Sequence, residues 1–186
     1  ILFSKFFILL FIFINFLPNL YANEKKLIIN RLINIHNITF NFEQITNEKK
    51  EIGICILVFD NKLKCKYKDS MQKEVLINGK TLVVSQKRYN KNYFYPIANT
   101  MFVNILNKKK LINLIEKSSY KIKKNIELSY VDENNKRIIT FFEKENYNLI
   151  GWKVSDQLQN NIFFSLKIIS INNEHDPIIF KIPLIN

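Results

Sequence analysis

Two histidines, two cysteines and three glycines are a sparse supply of groups for catalysis in 186 residues, and their spacing assembles no reaction centre. His36 falls at the end of a helix-patterned stretch and His175 in a loop-like run, with no Ser or Cys beside either, so both read as surface histidines. Two cysteines and two distant histidines lack the closely spaced ligand pairs of a zinc site. Gly53, Gly79 and Gly151 are too scattered for a phosphate-cradling loop or a nucleophile elbow. Glu143 and Glu145 share one side near a strand end, where a carboxylate pair is ordinarily a solvated edge rather than an acid and a base. The expectation is a protein that is not an enzyme and holds neither metal nor cofactor.

The aromatic side chains are the supply that needs a use. There are sixteen Phe, eight Tyr and one Trp, a large share even with those of the N-terminal stretch set aside. If the alternating faces of successive strands point into one concavity, then Phe40, Phe42, Leu57, Phe59, Val75, Ile77, Leu82, Val84, Leu128, Tyr130, Phe142, Trp152 and Phe164 line it, joined by Phe102 and Ile105 from a covering helix. The bland alternative is that these side chains interdigitate with helices and leave no cavity. Cys55 and Cys65 flank a turn at Asp60-Asn61. They share a face, and so can form a disulfide, only if the turn holds an odd number of residues; otherwise they are two half-buried thiols.

The elements that must position these residues follow from periodicity. Leu27, Ile28, Leu32 and Ile35 recur at three- and four-residue steps, which predicts a helix over 24–36. The period then switches to two: Ile38, Phe40 and Phe42 mark a strand, followed by strands over 54–59, 63–68, 73–77 and 80–85. Asn78-Gly79 between two of these is a strong hairpin signal, read as a type I′ turn. Helix spacing returns over 100–107 and 111–117, preceded by an extended Tyr93-Phe94-Tyr95 segment ahead of Pro96. Strands resume over 126–131, 138–143, 149–155, 162–171 and 178–182. A sheet of about ten or eleven antiparallel strands must curl, so the expected fold is mainly β: an incomplete barrel around an apolar cavity, covered by an N-terminal helix and short lid helices.

Residues 1–22 read as a targeting leader. The apolar core from Phe6 to Leu17 is shorter than the roughly 20 residues that span a bilayer, Pro18 breaks it, and Leu20-Tyr21-Ala22 offers a small residue for cleavage. What remains, 23–186, is the size of one domain, with no linker or repeat. Removing Lys5 lowers the net charge from +12 to +11. Such a balance raises nucleic acid or anionic membrane as partners. Export argues against nucleic acid, and the excess Lys travels with Asn, Ile, Phe and Tyr, as A/T-rich coding would have it. Lys108, Lys109 and Lys110 with Lys121, Lys123 and Lys124 form the one candidate basic patch.

Several of these segments, in this order, resemble the LolA family. The run from Leu32 to Gln44 is similar to the family's opening, a helix running into an aromatic-x-aromatic-x-Gln strand. Gly53 with the strand to Phe59, the turn Gly79-Lys80-Thr81-Leu82, Asn99-Thr100-Met101-Phe102 and Phe180-Lys181-Ile182-Pro183 match its later motifs in position. The resemblance implies a monomeric periplasmic chaperone that shelters the acyl chains of lipoproteins. It would receive them from an inner-membrane ABC exporter and pass them to an outer-membrane lipoprotein receptor, with the short helix over 100–107 as a lid held by apolar contacts. The family's functional Arg falls here on Phe59 and the following Pro on Asp60, which puts its gating in doubt. The alternative is a secreted binding module of the same fold for another apolar ligand, or an envelope sensor.

Overall fold

The computed structural model describes residues 17–59, 61–99, 102–131, 136–155 and 161–184, with the side chains at 17–23, 99 and 102 left aside. The expected leader core upstream of Leu17, Asp60, Thr100, Met101 and residues 132–135 therefore lie outside the described residues.

Period-two patterning yields two meanders. The first comprises β1 (Asn37–Thr46), β2 (Lys49–Val58), β3 (Lys62–Tyr67), β4 (Lys73–Asn78), β5 (Thr81–Gln86) and β6 (Lys91–Pro96). The second comprises β7 (Ser119–Ile122), β8 (Ile126–Val131), β9 (Arg137–Phe142), β10 (Leu149–Ser155) and β11 (Asn161–Ile171). They meet where β1 pairs with β11, giving one eleven-stranded antiparallel sheet whose edges are β6 and β7. Register shifts between Thr39 and Phe40 on β1 and between Leu149 and Gly151 on β10 place irregularities in the centre of the sheet. Bulges of this kind sharpen strand twist, and they help curl the sheet into an open cup.

Among the described residues three α-helices serve the cup. The first, α1 (Leu17–Ile33), starts earlier than its apolar pattern and runs through the expected cleavage point. Pro18 lies in its first described turn, where a missing N–H costs nothing, and the apolar core it was expected to end lies outside the described residues. The chain between the two edge strands forms α2 (Phe102–Leu106) and α3 (Lys108–Lys117). Asn107 separates them and caps α3, its side chain accepting from the Lys110 amide at 3.0 Å. Ile28, Leu32, Ile105, Leu106, Leu111, Leu114 and Ile115 point into the cup and join one core with the concave face of the sheet. No helix among the described residues is long and apolar enough to cross a membrane.

Three sequence expectations change. The segment 178–182 is not a strand: Pro177–Phe180 forms a 3₁₀ turn, capped by the Asp176 side chain on the Ile178 amide. Its apolar pattern serves the outer face instead, where Phe180 is buried against Leu76 and Val83. The short edge strand β7 was hidden by Lys121 inside it and by Lys123 and Lys124 directly after it. The Asn-Gly hairpin turns on Gly79 and Lys80, since Asn78 pairs with Thr81, and of the two only Gly79 has positive φ. That is a type II′ turn rather than I′. The I′ geometry falls instead at Asn47-Glu48, at φ 46° and 68°, joining β1 to β2.

Candidate functional site

The β2–β3 loop holds three residues, 59–61, between the pair Val58 and Lys62. The odd count puts Cys55 directly opposite Cys65, and the structure joins them by a disulfide. The bridge is buried in the concave face, as are Phe40, Phe42, Leu57, Val75, Ile77 and Leu82.

Gly53 is the notable small residue of that face. A Cβ there would meet the Lys66 carbonyl oxygen at 2.2 Å and the Phe42 ring at 2.6 Å, so glycine is required by close approach. The gap is covered by aromatic rings: Phe42 meets Tyr67 edge-on at 4.8 Å and stacks on Phe164 at 5.1 Å. Phe164 stacks in turn on Trp152 at 4.3 Å. A continuous aromatic row thus crosses from β3 to β10, with ring separations suited to attraction beyond area burial.

At the end of the cup away from the 59–61 loop, this row opens into a cleft of about 230 Å³ lined by Gln44, Tyr67, Lys73, Val75, Leu82, Val84, Trp152, Ile162 and Phe164. Its walls come from β4 and β5 on one side and β10 and β11 on the other, with three strands between them in the sheet order. Only the curl brings them together. Of the residues expected to line a cavity, Val75, Leu82, Val84, Trp152 and Phe164 do so, over a floor braced by Phe42. Phe40, Leu57, Ile77, Ile105, Leu128 and Phe142 are at most 2% exposed, packed in the core beneath the helices. Phe59 and Tyr130 are half-buried against that core, and the Phe102 side chain lies outside the description. Gln44, Tyr67, Lys73 and Ile162 were missed, although each continues the two-residue alternation of a strand already identified.

The rim is polar and ordered. The Tyr67 hydroxyl donates to Gln44 Oε1 at 3.1 Å, and Gln44 donates to Thr46 Oγ1 at 3.1 Å. Lys73 Nζ lies 3.8 Å from the Tyr67 ring centroid and 2.6 Å from Glu51 Oε1, which Lys49 also approaches at 3.2 Å. Burial opposes ionisation of Glu51, but hydrogen bonds from Lys73 and Lys49 outweigh it and hold the carboxyl below its usual value. Burial, reinforced by the charges of Glu51 and Asp69, pushes the Tyr67 phenol well above the ordinary tyrosine range, so it stays an O–H donor. The arrangement offers an apolar slot with a hydrogen-bonding, cationic margin. Among the described residues no three His, Cys, Asp or Glu gather as a metal site.

The helix over Phe102–Leu106 lies at the opposite end, and apolar contacts are not its only tether: the Asn61 amide donates to the Leu106 carbonyl at 3.2 Å. Phe59 sits beside it with Lys108 Nζ 5.4 Å from its ring centroid.

No protein-family model matches the sequence, and no curated protein matches it. Among solved structures, an uncharacterized conserved protein from Thermus thermophilus superposes with a TM-score of 0.53 at 8% identity, covering 84% of this chain and 92% of that one. The lipoprotein LppX from Mycobacterium tuberculosis gives 0.47 at 10% identity, over 86% and 98% of the two chains. A LolA superfamily protein from Nitrosomonas europaea gives 0.42 at 8% identity, over 83% and 96%. Only the first of these exceeds one half, and at such identity it speaks to shared architecture alone: the chain has the fold of an incomplete antiparallel barrel packed on helices.

Proposed function

We propose that this chain is an extracytoplasmic carrier that shelters lipid acyl chains on the concave face of its sheet. The observation that carries the reading is the cleft, whose two walls present Val75, Leu82 and Val84 against Trp152, Ile162 and Phe164 with a hydrogen-bonded rim. Burying an acyl chain is worth about 0.8 kcal/mol per methylene, so ten methylenes contribute about 8 kcal/mol with no chemistry required. The apolar, leader-like composition of 1–22 and the disulfide between Cys55 and Cys65 both favour export to an oxidising compartment. In its fuller form the proposal is that of the resemblance: acylated lipoproteins taken from an inner-membrane ABC exporter and delivered to the outer membrane.

A second reading, a binding module for a single-chain lipid, is favoured by size. The cleft's volume of about 230 Å³ falls below the roughly 300–1,000 Å³ of pockets that enclose drug-sized ligands, so three acyl chains require the helices to give way.

Trp152 is the protein's one tryptophan, and it lines the cleft, which makes it a reporter. A lysophospholipid with a bromine-labelled acyl chain is expected to quench its fluorescence saturably, and a Val84→Asp variant to abolish the quenching. Unchanged Trp152 emission from folded protein would sink the reading. Release of a triacylated lipoprotein from vesicles bearing its exporter then separates the carrier from the module.

A further inference from the structure

The cleft adjoins a second, more open hollow edged by charged side chains, with Ile52 and Met71 also in its lining. Tyr67 lines both the cleft and an adjoining hollow of about 470 Å³, which Lys49, Lys50, Glu51, Lys68 and Asp69 help to bound. The ion pair between Lys73, in the cleft, and Glu51, in the hollow, joins the two at 2.6 Å. Side by side they set a narrow apolar slot next to a wider hollow edged by charge.

The hollow has a sign. Lys73 and Lys49 share the single carboxylate of Glu51, at 2.6 and 3.2 Å, which leaves one positive charge over. Lys50 is balanced by Glu43 at 2.6 Å. Lys68 and Asp69 add one charge of each kind. Around the hollow and its margin four lysines therefore stand with three carboxylates, and Lys73, which lines the slot, and Lys49 are the pair that only Glu51 serves. The Tyr67 ring beneath Lys73 keeps that ammonium at the junction, and the Tyr67 hydroxyl stays protonated.

We propose that the slot and the hollow form one site for an anionic amphiphile, the apolar chain lying between Val84 and Trp152 and a phosphate-bearing headgroup bound by Lys49 and Lys73. The proposal rests on the lipid-binding reading of the cleft and adds to it the class of headgroup. A cationic headgroup is repelled, and a neutral one leaves the shared carboxylate arrangement unchanged.

The test is displacement of the bromine-labelled probe from the purified chain, read by recovery of Trp152 fluorescence. Dodecyl phosphate, dodecyl maltoside and dodecyltrimethylammonium are compared below their micelle concentrations, with inorganic phosphate as a fourth arm. Dodecyl phosphate is expected to bind about tenfold more tightly than the maltoside, a margin suited to two partly exposed charges and one that shrinks at high salt. Lys73→Gln and Lys49→Gln are each expected to erase most of it. Lys49 is 74% exposed in its side chain, so its replacement leaves the fold intact even if the Lys73 variant does not fold. Equal binding of the phosphate and maltoside overturns the headgroup proposal and leaves the lipid-binding reading standing. Displacement by inorganic phosphate as effective as by dodecyl phosphate overturns it too, making the hollow a free-anion site. If no amphiphile displaces or mimics the probe, the cleft reading fails first and the headgroup proposal falls with it.

Discussion

Gly53 should be irreplaceable for a reason that can be measured. In Gly53→Ala the new Cβ would lie 2.2 Å from the Lys66 carbonyl oxygen and 2.6 and 2.8 Å from two Phe42 ring carbons, where ordinary contact begins near 3.4 Å. The backbone or the ring must retreat by more than an ångström. Overpacking of this kind costs about 1–3 kcal/mol. Because the oxygen belongs to the β2–β3 ladder, one or two backbone hydrogen bonds weaken as well, at about 1 kcal/mol each. Alanine's smaller unfolded-state freedom returns about 0.4–1 kcal/mol. The net expectation is a loss of about 3 kcal/mol, seen in urea as a midpoint lowered by about 1.5 M at a slope near 2 kcal/mol/M. A double variant locates the strain. Phe42→Leu removes the ring contact but not the carbonyl, so adding Gly53→Ala to it should still cost at least about 1 kcal/mol. A single-variant loss below about 0.5 kcal/mol, or no loss on the Phe42→Leu background, would show that the ladder yields freely and that the close approach does not explain the glycine.

Other outcomes follow from the same geometry. Cys55 and Cys65 are ten residues apart, and loop-closure entropy assigns such a bridge about 2.7 kcal/mol; reduction should lower the melting temperature by roughly 5–10 °C, and a change below about 1 °C would contradict this. Thr140 is fully buried between Leu128 and Trp152 in the ladder, and its hydroxyl has no hydrogen-bond partner among the described residues. Thr140→Val should therefore raise stability by about 1 kcal/mol, and destabilisation would reveal a hidden partner. Burial opposes ionisation of Glu74, but the hydrogen bond from Lys64 at 2.7 Å and the charges of Lys64, Lys87 and Lys66 hold its carboxyl below the usual 4.5. A depressed folded value means stability that is present above pH 4.5 and lost as pH falls through the folded value. Wild type should accordingly exceed Glu74→Gln in urea resistance at pH 7, with the gap closing as pH drops below 4.5; a gap independent of pH would refute the ion-pair account.

Much was legible in the chain because β periodicity is local. Alternation at Ile38, Phe40 and Phe42 assigned the concave face of β1 without any knowledge of its neighbours, and the same rule, extended by one step, reaches Gln44, Tyr67 and Ile162. The odd-residue condition for Cys55 and Cys65 was likewise a property of the hairpin alone; what it lacked was the loop length, which rests on where the β2–β3 pairing ends. Local pattern misled where apolar residues serve a different surface. Ile178 to Ile182 alternate like a strand, yet Pro177 removes a donor, and Phe180 packs on the outer face. Lys121 within β7, followed by Lys123 and Lys124, concealed an edge strand that has solvent on one side.

Alternation along each strand thus determined which side chains share a face, since successive Cβ atoms point to opposite sides of a pleated chain whatever lies beyond it. Which of those side chains line open space was decided only by the tertiary structure. The helices fill one end of the cup and bury Phe40, Leu57, Leu128 and Phe142, while the curl brings β5 against β10 at the other end and leaves the slot beside Trp152 and Lys73. That distinction depends on sheet curvature and on where the helices dock, both of which arise from the summed packing of residues far apart in the chain rather than from any one segment's pattern.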